Sequence, residues 1–470
     1  MRTTTRRGLV CSVTLAFALA CSHSAIAATT PLSQIGSSGS GAGQLQDPIA
    51  LVFDPAGRAY VSDLSNKRIS VFDSSGAFVR AFGWDVVPPD DGSGFEVCTT
   101  ATGCIMGDSG GGAGQFVDPI GIVLDGSGRL FVADAINQRI NVFDAATSSF
   151  TRAYGWDVLP PDNASGFEVC TTATGCLQGD LGGGAGQLTF PTAVALDANG
   201  ALYVADRNNN RISVFDTINS TFMHSFGFGV ATGAAALETC TATCLPGSAG
   251  GAAGQLNFPS GVALDGTTLH VADRLNQRIS SFALSPLSFL RTFGFAVDTG
   301  TFQFESCTTT CQPGDLGDDA GQFDDPTGIH MLGANLLVAD SGNERISVFN
   351  PTTPSLIESF GFGVNTGMAS FEHCTLASSC ETGIAGPGLG QFNFPQGLAV
   401  DCKGALWVAE NGDGDRLQRL GEPGTPLCAP PAAGQPPSKP AKRKKCKRKS
   451  KKKPAASAKK RKKCKRKKKR

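Results

Sequence analysis

Histidine is scarce in this sequence, and long apolar runs are confined to its first segment. Only five histidines occur in 470 residues. Catalytic zinc needs several convergent ligands, usually histidine and carboxylate side chains. Beyond residue 27 no apolar run is long enough to span a bilayer. These shortages argue against a zinc enzyme and predict no transmembrane segment.

The first segment has the layout of a cleaved export signal. Arg2, Arg6 and Arg7 precede an apolar run over residues 9–20, and small residues follow near Ala27. We therefore expect residues 1–27 to be removed and the protein to be secreted or associated with the cell envelope. Both a general secretory route and a twin-arginine route stay open.

Basic residues are rare everywhere except at the C-terminal end. Residues 28–438 carry 16 basic and 40 acidic side chains, whereas 22 of the 41 basic residues lie between Lys439 and Arg470. Residues 422–470, first rich in Pro and Ala and then in Lys and Arg, cannot bury a core and are predicted to be disordered. The expected partners of this tail are anionic envelope polymers or lipid headgroups. Folding back of the tail onto the acidic body is the other interpretation, and the sequence does not rank the two. The acidic body predicts no specific nucleic-acid binding.

One unit recurs along residues 28–421, and residues 186–216 show it most clearly. Two apolar runs flank an Asp-x-x-Gly turn, and a third alternating run follows an Asn/Arg-bearing turn, which are strand and hairpin signals. A fourth strand ends at Gly227. An acidic residue closes the second strand of each copy: Asp63, Asp134, Asp206, Asp273, Asp340 and Glu410.

Six such units predict an all-β fold, a six-bladed β-propeller of four-stranded antiparallel blades. The sixth copy ends after its third strand, near Leu420, while residues 32–36 resemble an isolated fourth strand. The N-terminal strand is therefore expected to complete the last blade and to cover the sheet edges.

The motifs Gly-x-Gln-Phe-x-x-Pro and Val-Ala-Asp-x-x-Asn-x-Arg-Ile-x-Val-Phe, with the closing Phe-Gly, resemble NHL repeats, a propeller family. The resemblance covers about residues 32–421 and implies the fold. It does not fix the function, because propellers carry unrelated activities. Some similar propellers are lyases or lactonases with a metal in the central channel, and His330 is the one histidine on a predicted inner strand.

The repeated Asp-x-x-Asn-x-Arg turns are interpreted as structural. Catalytic constellations are singular, whereas this element recurs in five copies. The Asp is expected to accept hydrogen bonds, and the Arg is expected to pair within or between blades.

Long insertions separate the fourth strand of one blade from the first strand of the next. They cover residues 84–113, 156–185, 228–253, 295–320 and 362–389, and each holds one cysteine pair that is predicted to form a local disulfide. The pairs are Cys98/Cys104, Cys170/Cys176, Cys240/Cys244, Cys307/Cys311 and Cys374/Cys380. Zinc is the rival interpretation, but the short gaps suit a tetrahedral site poorly. Cys402 and Cys428 are expected to form a sixth disulfide, and the roles of Cys446 and Cys464 stay open.

Family topology places the insertions and the Asp/Asn/Arg turns on one face, around a mouth of the channel. Loops on a rigid scaffold commonly carry binding function. The first two insertions share Gly-Trp-Asp-Val, so Trp84, Asp85, Trp156 and Asp157 are the candidate ligand-binding residues. Packing of the two tryptophans within their own loops is the competing interpretation.

These observations predict a non-enzymatic binding or scaffold protein with no catalytic residues and no cofactor, which binds a protein or glycan at the loop face. One alternative is a calcium-dependent hydrolase or lyase, because Asn411, Asp413, Asp415 and Glu422 have spacings like those of a calcium loop. Arg416, however, stands where such a loop requires Gly. A purely structural envelope protein is the third possibility.

Overall fold

Six antiparallel sheets surround a central channel in a computed structural model that describes residues 29–92, 94–161 and 166–426. The export segment, the Lys/Arg-rich tail, Cys428, Cys446 and Cys464 lie outside the described residues, so the predictions made for them are untested. Within the described ranges, no helix is long and apolar enough to cross a membrane.

The strands follow one another in chain order within each blade. The N-terminal strand is β1 (Thr30–Ile35). Blade one comprises β2 (Pro48–Phe53), β3 (Ala59–Asp63), β4 (Arg68–Phe72), β5 (Phe78–Trp84) and β6 (Phe95–Cys98). Blade two comprises β7 (Pro119–Leu124), β8 (Arg129–Asp134), β9 (Arg139–Asp144), β10 (Ser149–Trp156) and β11 (Phe167–Cys170). Blade three comprises β12 (Pro191–Leu196), β13 (Ala201–Asp206), β14 (Arg211–Asp216), β15 (Thr221–Phe228) and β16 (Leu237–Cys240).

The remaining blades repeat this order. Blade four comprises β17 (Pro259–Asp265), β18 (Thr268–Asp273), β19 (Arg278–Leu284), β20 (Leu287–Phe295) and β21 (Phe304–Cys307). Blade five comprises β22 (Pro326–Leu332), β23 (Asn335–Asp340), β24 (Arg345–Asn350), β25 (Ser355–Phe362) and β26 (Phe371–Cys374). Blade six comprises β27 (Pro395–Val400), β28 (Leu406–Glu410) and β29 (Arg416–Gly421), and β1 is its fourth strand. Short 3-10 turns follow the second strand in blades three to five, at Arg207–Asn209, Arg274–Asn276 and Ser341–Asn343.

The six-bladed class is confirmed, but five of the blades have five strands and not the predicted four. The extra outer strand comes from the insertions, which therefore have regular structure of their own. In blade one, for example, Trp84 of β5 pairs with Phe95 of β6. Four residues ending at a cysteine are too short to show the alternating pattern that identifies a strand in a sequence.

Ring closure is as predicted. Strand β1 pairs antiparallel with β29, from Thr30 opposite Gly421 to Ile35 opposite Leu417. The last blade is thus built from both ends of the ring, and the ladder groups of β29 are paired instead of exposed.

Buried arginines fix the predicted turns, and the structural interpretation of these turns is confirmed. In blade three, Arg211 is fully buried and its Nε donates to Asp206 Oδ2 at 2.8 Å. Its two terminal nitrogens donate to carbonyl oxygens of Gly184 and Gln187, before the blade, and of Leu245, in the insertion after it. Each such arginine therefore joins a blade to two loops. The same pattern recurs around Arg68, Arg278 and Arg345.

The residue just before the turn arginine links one blade to the next. In blades two to six its side chain accepts a hydrogen bond from a backbone N–H group of the next blade. Gln277, for example, accepts from Asp325 at 3.0 Å, and Glu344 accepts from Phe394 at 2.6 Å. In blade one the position is Lys67, which has no acceptor atom. This link, which no repeated sequence motif marks, joins neighbouring blades on the turn face at five of the six junctions.

Candidate binding face

The five insertions lie on the face that also carries the Asp/Asn/Arg turns, as predicted. Backbone hydrogen bonds join them directly. The N–H groups of Gly107, Gly179, Gly247, Gly314 and Gly383 donate to the carbonyl oxygens of the turn asparagines Asn66, Asn137, Asn209, Asn276 and Asn343. We call this surface, comprising the insertions and these turns, the loop face.

All five predicted disulfides within the insertions are present, with Cα atoms 5.3 to 5.5 Å apart. They are Cys98–Cys104, Cys170–Cys176, Cys240–Cys244, Cys307–Cys311 and Cys374–Cys380. The ten sulfur atoms form five disulfides and are therefore not thiolate ligands. The interpretation of these cysteine pairs as zinc sites is wrong.

The disulfides lie beneath the surface of the insertions. In the three pairs separated by six residues, the second cysteine is Cys104, Cys176 or Cys380, and its exposure is only 3 to 8%. The cross-links therefore hold the loops together from below and are not themselves a contact surface.

Cys402 is also disulfide-bonded. Its predicted partner, Cys428, lies outside the described residues, so that pairing stays a prediction. Several disulfides are typical of proteins in an oxidising, extracytoplasmic compartment.

A glutamate in each outer strand orders the insertion from within. In the fourth insertion, Glu305 accepts hydrogen bonds from the backbone N–H groups of Asp298 and Thr299 and from the hydroxyls of Thr299 and Thr301. Burial alone would raise the pKa of Glu305, but these hydrogen bonds lower it to about 2. The equivalent residues Glu96, Glu168, Glu238 and Glu372 bind their own loops in the same way.

Aromatic residues of the outer strands attach the insertions to the next blade. Phe95, Phe167 and Phe304 stack on Phe143, Phe215 and Phe349, with ring centroids 5.7 to 5.8 Å apart. Such pairs stabilise beyond the area that they bury. The insertions are therefore held by a disulfide, a strand ladder and the neighbouring blade, and form a preorganised surface.

Exposed apolar side chains concentrate on the loop face. Among the described residues fifteen large apolar side chains are exposed. Twelve of these lie in the insertions, in a turn of the loop face or in the cavity lining: Val97, Met106, Leu181, Leu245, Leu275, Phe302, Leu316, Met368, Leu376, Ile384, Leu389 and Phe394. The other three, Ile218, Met223 and Ile357, lie in third-to-fourth-strand turns or on fourth strands. Apolar side chains gathered on one surface indicate a contact surface.

The four predicted ligand-binding residues divide into two kinds. Trp84 and Trp156 are partly exposed where β5 and β10 end, and the Trp84 ring lies close to Gly112 of its own insertion. Asp85 and Asp157 are buried, at 1% and 2% exposure. Asp85 Oδ2 accepts from the N–H groups of Asp91 and Gly92, so this carboxylate shapes the loop. The two tryptophans stay candidates. The ligand-binding role predicted for Asp85 and Asp157 stays a prediction, and one carboxylate oxygen each of Asp85, Asp90 and Asp108 lie within 4.8 Å of one another.

The proposed calcium loop is not assembled. Strand β29 separates Asp415 from Glu422, and six residues at about 3.3 Å each place them roughly 20 Å apart. Asp415 Oδ1 instead accepts from the backbone N–H of Asp47 at 2.8 Å, as the blade-to-blade link described above. The spacing resembled a calcium loop because a turn rich in Asp and Asn was followed by a short strand.

Inner strands of all six blades line a central cavity of 680 Å³. Its walls carry apolar side chains such as Ile122, Val194 and Leu398, together with polar side chains such as Thr192, Ser260, Thr327 and Gln396. His330 is the single histidine in this lining, as expected from the sequence, and burial lowers its pKa to about 4. It is therefore a neutral group at pH 7.

The channel mouth breaks the six-fold repeat. The residue after each second-strand acid is Leu64, Ala135, Arg207, Arg274, Ser341 or Asn411. Two of these, Arg207 and Arg274, are arginines on adjacent blades that line the cavity. Arg274 forms a bidentate ion pair with Asp325. No motif marked these positions, and only the comparison of aligned repeats distinguishes them.

Comparison with known proteins identifies the repeat. The NHL repeat family matches residues 188–215. No curated protein matches the chain. The similar solved structures include a virginiamycin B lyase from Staphylococcus aureus, 12% identical, covering 84% of this chain and 98% of the lyase with a TM-score of 0.41. An auxiliary nutrient-binding protein from Bacteroides ovatus is 11% identical, with 84% and 76% of the two chains covered and a TM-score of 0.46.

Proposed function

Since the chain is a six-bladed NHL-repeat β-propeller, we propose that it is a non-enzymatic, extracytoplasmic binding protein whose binding surface is the loop face. The concentration of exposed apolar side chains on that face is the observation that carries this proposal. Apolar side chains that stay in water do not stabilise a protein, whereas apolar side chains on a contact surface are buried when the partner binds and so contribute to the free energy of binding.

Preorganisation supports the same proposal. Disulfides, glutamate-bound loops and stacked phenylalanines hold the insertions before any partner arrives. Ordering a loop on binding costs free energy, and a surface that is already ordered avoids this cost. The five insertions therefore suit recognition of a protein or glycan better than they suit a flexible spacer.

The tail completes the proposal from the sequence alone. The 22 basic residues after position 438 are expected to hold the protein near anionic envelope polymers or lipid headgroups. The acidic propeller would then stand away from that surface, because like charges repel at short range.

Hydrogen–deuterium exchange of the full mature chain tests the binding surface. We expect an envelope extract of the producing cell to slow exchange in the five insertions and not in the turns at residues 54–58, 125–129 and 197–201 on the opposite face. Protection confined to the opposite face would contradict the proposal.

A matched pair of variants sharpens this test. Leu181 and Ile218 are similarly exposed, at 67% and 68%, but lie on opposite faces. Leu181→Ser is expected to reduce the protection, and Ile218→Ser is expected to leave it unchanged. Equal effects of the two changes would show that non-specific hydrophobic adsorption, and not the loop face, accounts for binding. Trp84→Ala with Trp156→Ala is expected to weaken the protection without unfolding the ring.

A further inference from the structure

Arg207 differs from the other arginines of the turns in its surroundings. Its guanidinium lies over the rings of Phe190 and Phe258, with 5.0 and 5.1 Å to the two centroids. Among the described residues it forms no hydrogen bond and no ion pair, and its Nε is buried without a partner. The terminal nitrogens are not buried, so they face solvent at the mouth of the cavity.

A charged group in this position needs an explanation. Buried or half-buried guanidinium groups are normally paired, because an unsatisfied charged donor is costly. Four residues away, Arg211 has its donors bonded to the protein. Arg207 is instead held in place by two aromatic faces, which fix its plane and leave its two terminal nitrogens available.

The local charge favours an anion even though the body as a whole is acidic. The charged groups that act on Arg207 are Arg274 and Asp325. Asp325 is already held by Arg274 in a bidentate pair, so these three side chains carry a net charge of +1. The remaining carboxylate of the lining, Asp118, has Lys67 as its charged neighbour.

The cavity behind the mouth indicates the rest of the ligand. Its volume of 680 Å³ falls within the range of small-molecule sites, about 300–1,000 Å³. Apolar side chains of the inner strands make up the larger part of its walls, beside neutral polar groups such as Thr192, Ser260, Thr327 and Gln396, and the one histidine in the lining is neutral at pH 7. A ligand that fits both parts has an anionic head at the mouth and an apolar body within the channel.

We propose that the channel mouth binds a small amphiphilic carboxylate, with its head group on the planar fork of Arg207 and its apolar body along the inner strands. A guanidinium matches a carboxylate by two parallel hydrogen bonds, which a lysine cannot provide. This proposal rests on the proposed function, because the mouth is the centre of the loop face, and it names the chemical class of one ligand.

Isothermal titration of the full mature chain tests the assignment with three probes that share one alkyl chain: octanoate, octan-1-ol and octylammonium. We expect octanoate to bind at least tenfold more tightly than octylammonium, with octan-1-ol between them. Arg207→Gln is expected to weaken octanoate at least tenfold and octan-1-ol by less than twofold. Arg207→Lys keeps the charge without the fork, and is expected to have an intermediate Kd for octanoate.

Arg58→Gln is the matched control, because Arg58 is paired with Asp54 in the turn between β2 and β3 on the opposite face. It should leave octanoate binding unchanged. Octanoate binding that survives Arg207→Gln in a variant with unchanged thermal unfolding would overturn the assignment, as would the absence of octanoate binding to the unaltered protein. If octanoate does not bind but the envelope extract still slows hydrogen exchange in the insertions, the proposed ligand class is wrong and the proposed binding face is supported. If neither binds, both proposals fall.

Discussion

Arg207 and Arg211 lie in the same turn of blade three, yet their surroundings are opposite. Arg211 is fully buried and its donors are bonded to Asp206 and to four carbonyl oxygens of two loops. Arg207 contacts two phenylalanine rings and has no hydrogen bond among the described residues. The arrangement of Arg211 recurs in other blades, whereas the position of Arg207 carries an arginine in only two of the six blades, and in the other of these Arg274 is paired with Asp325. Repetition here identifies the framework, and departure from repetition identifies the candidate site.

Substitution of a repeated, fully buried turn arginine is expected to have the largest effect on stability. Arg278→Met in blade four removes the partner of the fully buried Asp273 and the hydrogen bonds to two insertions, at Ala252 and Gln312. Leaving such a carboxylate unpaired costs about 3–5 kcal/mol. Chemical denaturation should show this loss, and Arg291→Met, on the fourth strand of the same blade, is the control with little effect. A stability loss below about 1 kcal/mol for Arg278→Met would contradict the framework role.

The disulfides should act on a smaller scale, within single insertions. Cys240→Ser with Cys244→Ser removes a short cross-link whose entropic contribution is about 2 kcal/mol. We expect faster hydrogen exchange over residues 228–253, with the other blades unchanged. The change Cys307→Ser with Cys311→Ser should loosen residues 295–320 instead. Cooperative unfolding of the ring by either change would show that the insertions belong to the core.

The links between blades predict a pH effect at one junction. Burial raises the pKa of Glu344 to about 7, above its unfolded value of 4.5. The folded state therefore binds this proton more tightly, and the contribution of Glu344 to the free energy of unfolding falls as pH rises from about 4.5 through about 7. Glu344→Gln keeps an acceptor for Phe394 and should be more stable above pH 7 by roughly 1–2 kcal/mol.

Denaturation at pH 5 and pH 8 measures this difference. Burial also raises the pKa of Asp340 to about 6 and that of Glu410 to about 7, but both are present in the variant and in the parent and cancel from the comparison. Gln277→Glu, at the equivalent position of blade four, should introduce the same decline with pH. Parallel pH profiles of parent and Glu344→Gln would exclude the mechanism.

The smallest expected effect on stability concerns the buried ion pair of blade two. Asn141 Nδ2 donates to Asp134 Oδ2 at 3.0 Å, where blades one and three to five carry serine. Arg139 Nε stands 3.8 Å from that oxygen, whereas the matching distance in the other four blades is 2.8 to 2.9 Å. Burial also lowers the pKa of Arg139 to about 10.

Asn141→Ser should restore the ion pair and stabilise the protein by about 1 kcal/mol, since one buried hydrogen bond contributes roughly that amount. Thermal unfolding measures the gain. Ser213→Asn, which installs the blade-two arrangement in blade three, should produce a loss of similar size. A gain from both changes would show that the effect does not come from this ion pair.

The sequence predicted the framework because the framework repeats. Five copies of Asp-x-x-Asn-x-Arg, with Glu410 in the sixth unit, are enough to infer the blade number, the turn bonds and the closing strand at Thr30–Ile35. The outer strands were missed because the four residues Phe95–Cys98 show no period. Arg207 was missed for a different reason, since its role depends on Phe258 of the next blade, which lies 51 residues away. A contact between blades leaves no local pattern.

Chemical denaturation of Arg207→Met beside Arg211→Met tests most directly whether departure from the repeat identifies the site. The two changes remove the same side chain from positions four residues apart in one turn. We predict that Arg211→Met lowers the free energy of unfolding by about 3–5 kcal/mol, whereas Arg207→Met lowers it by no more than about 1 kcal/mol, the size of its cation–π contacts. Comparable losses from the two variants would show that Arg207 belongs to the framework, and would contradict the account.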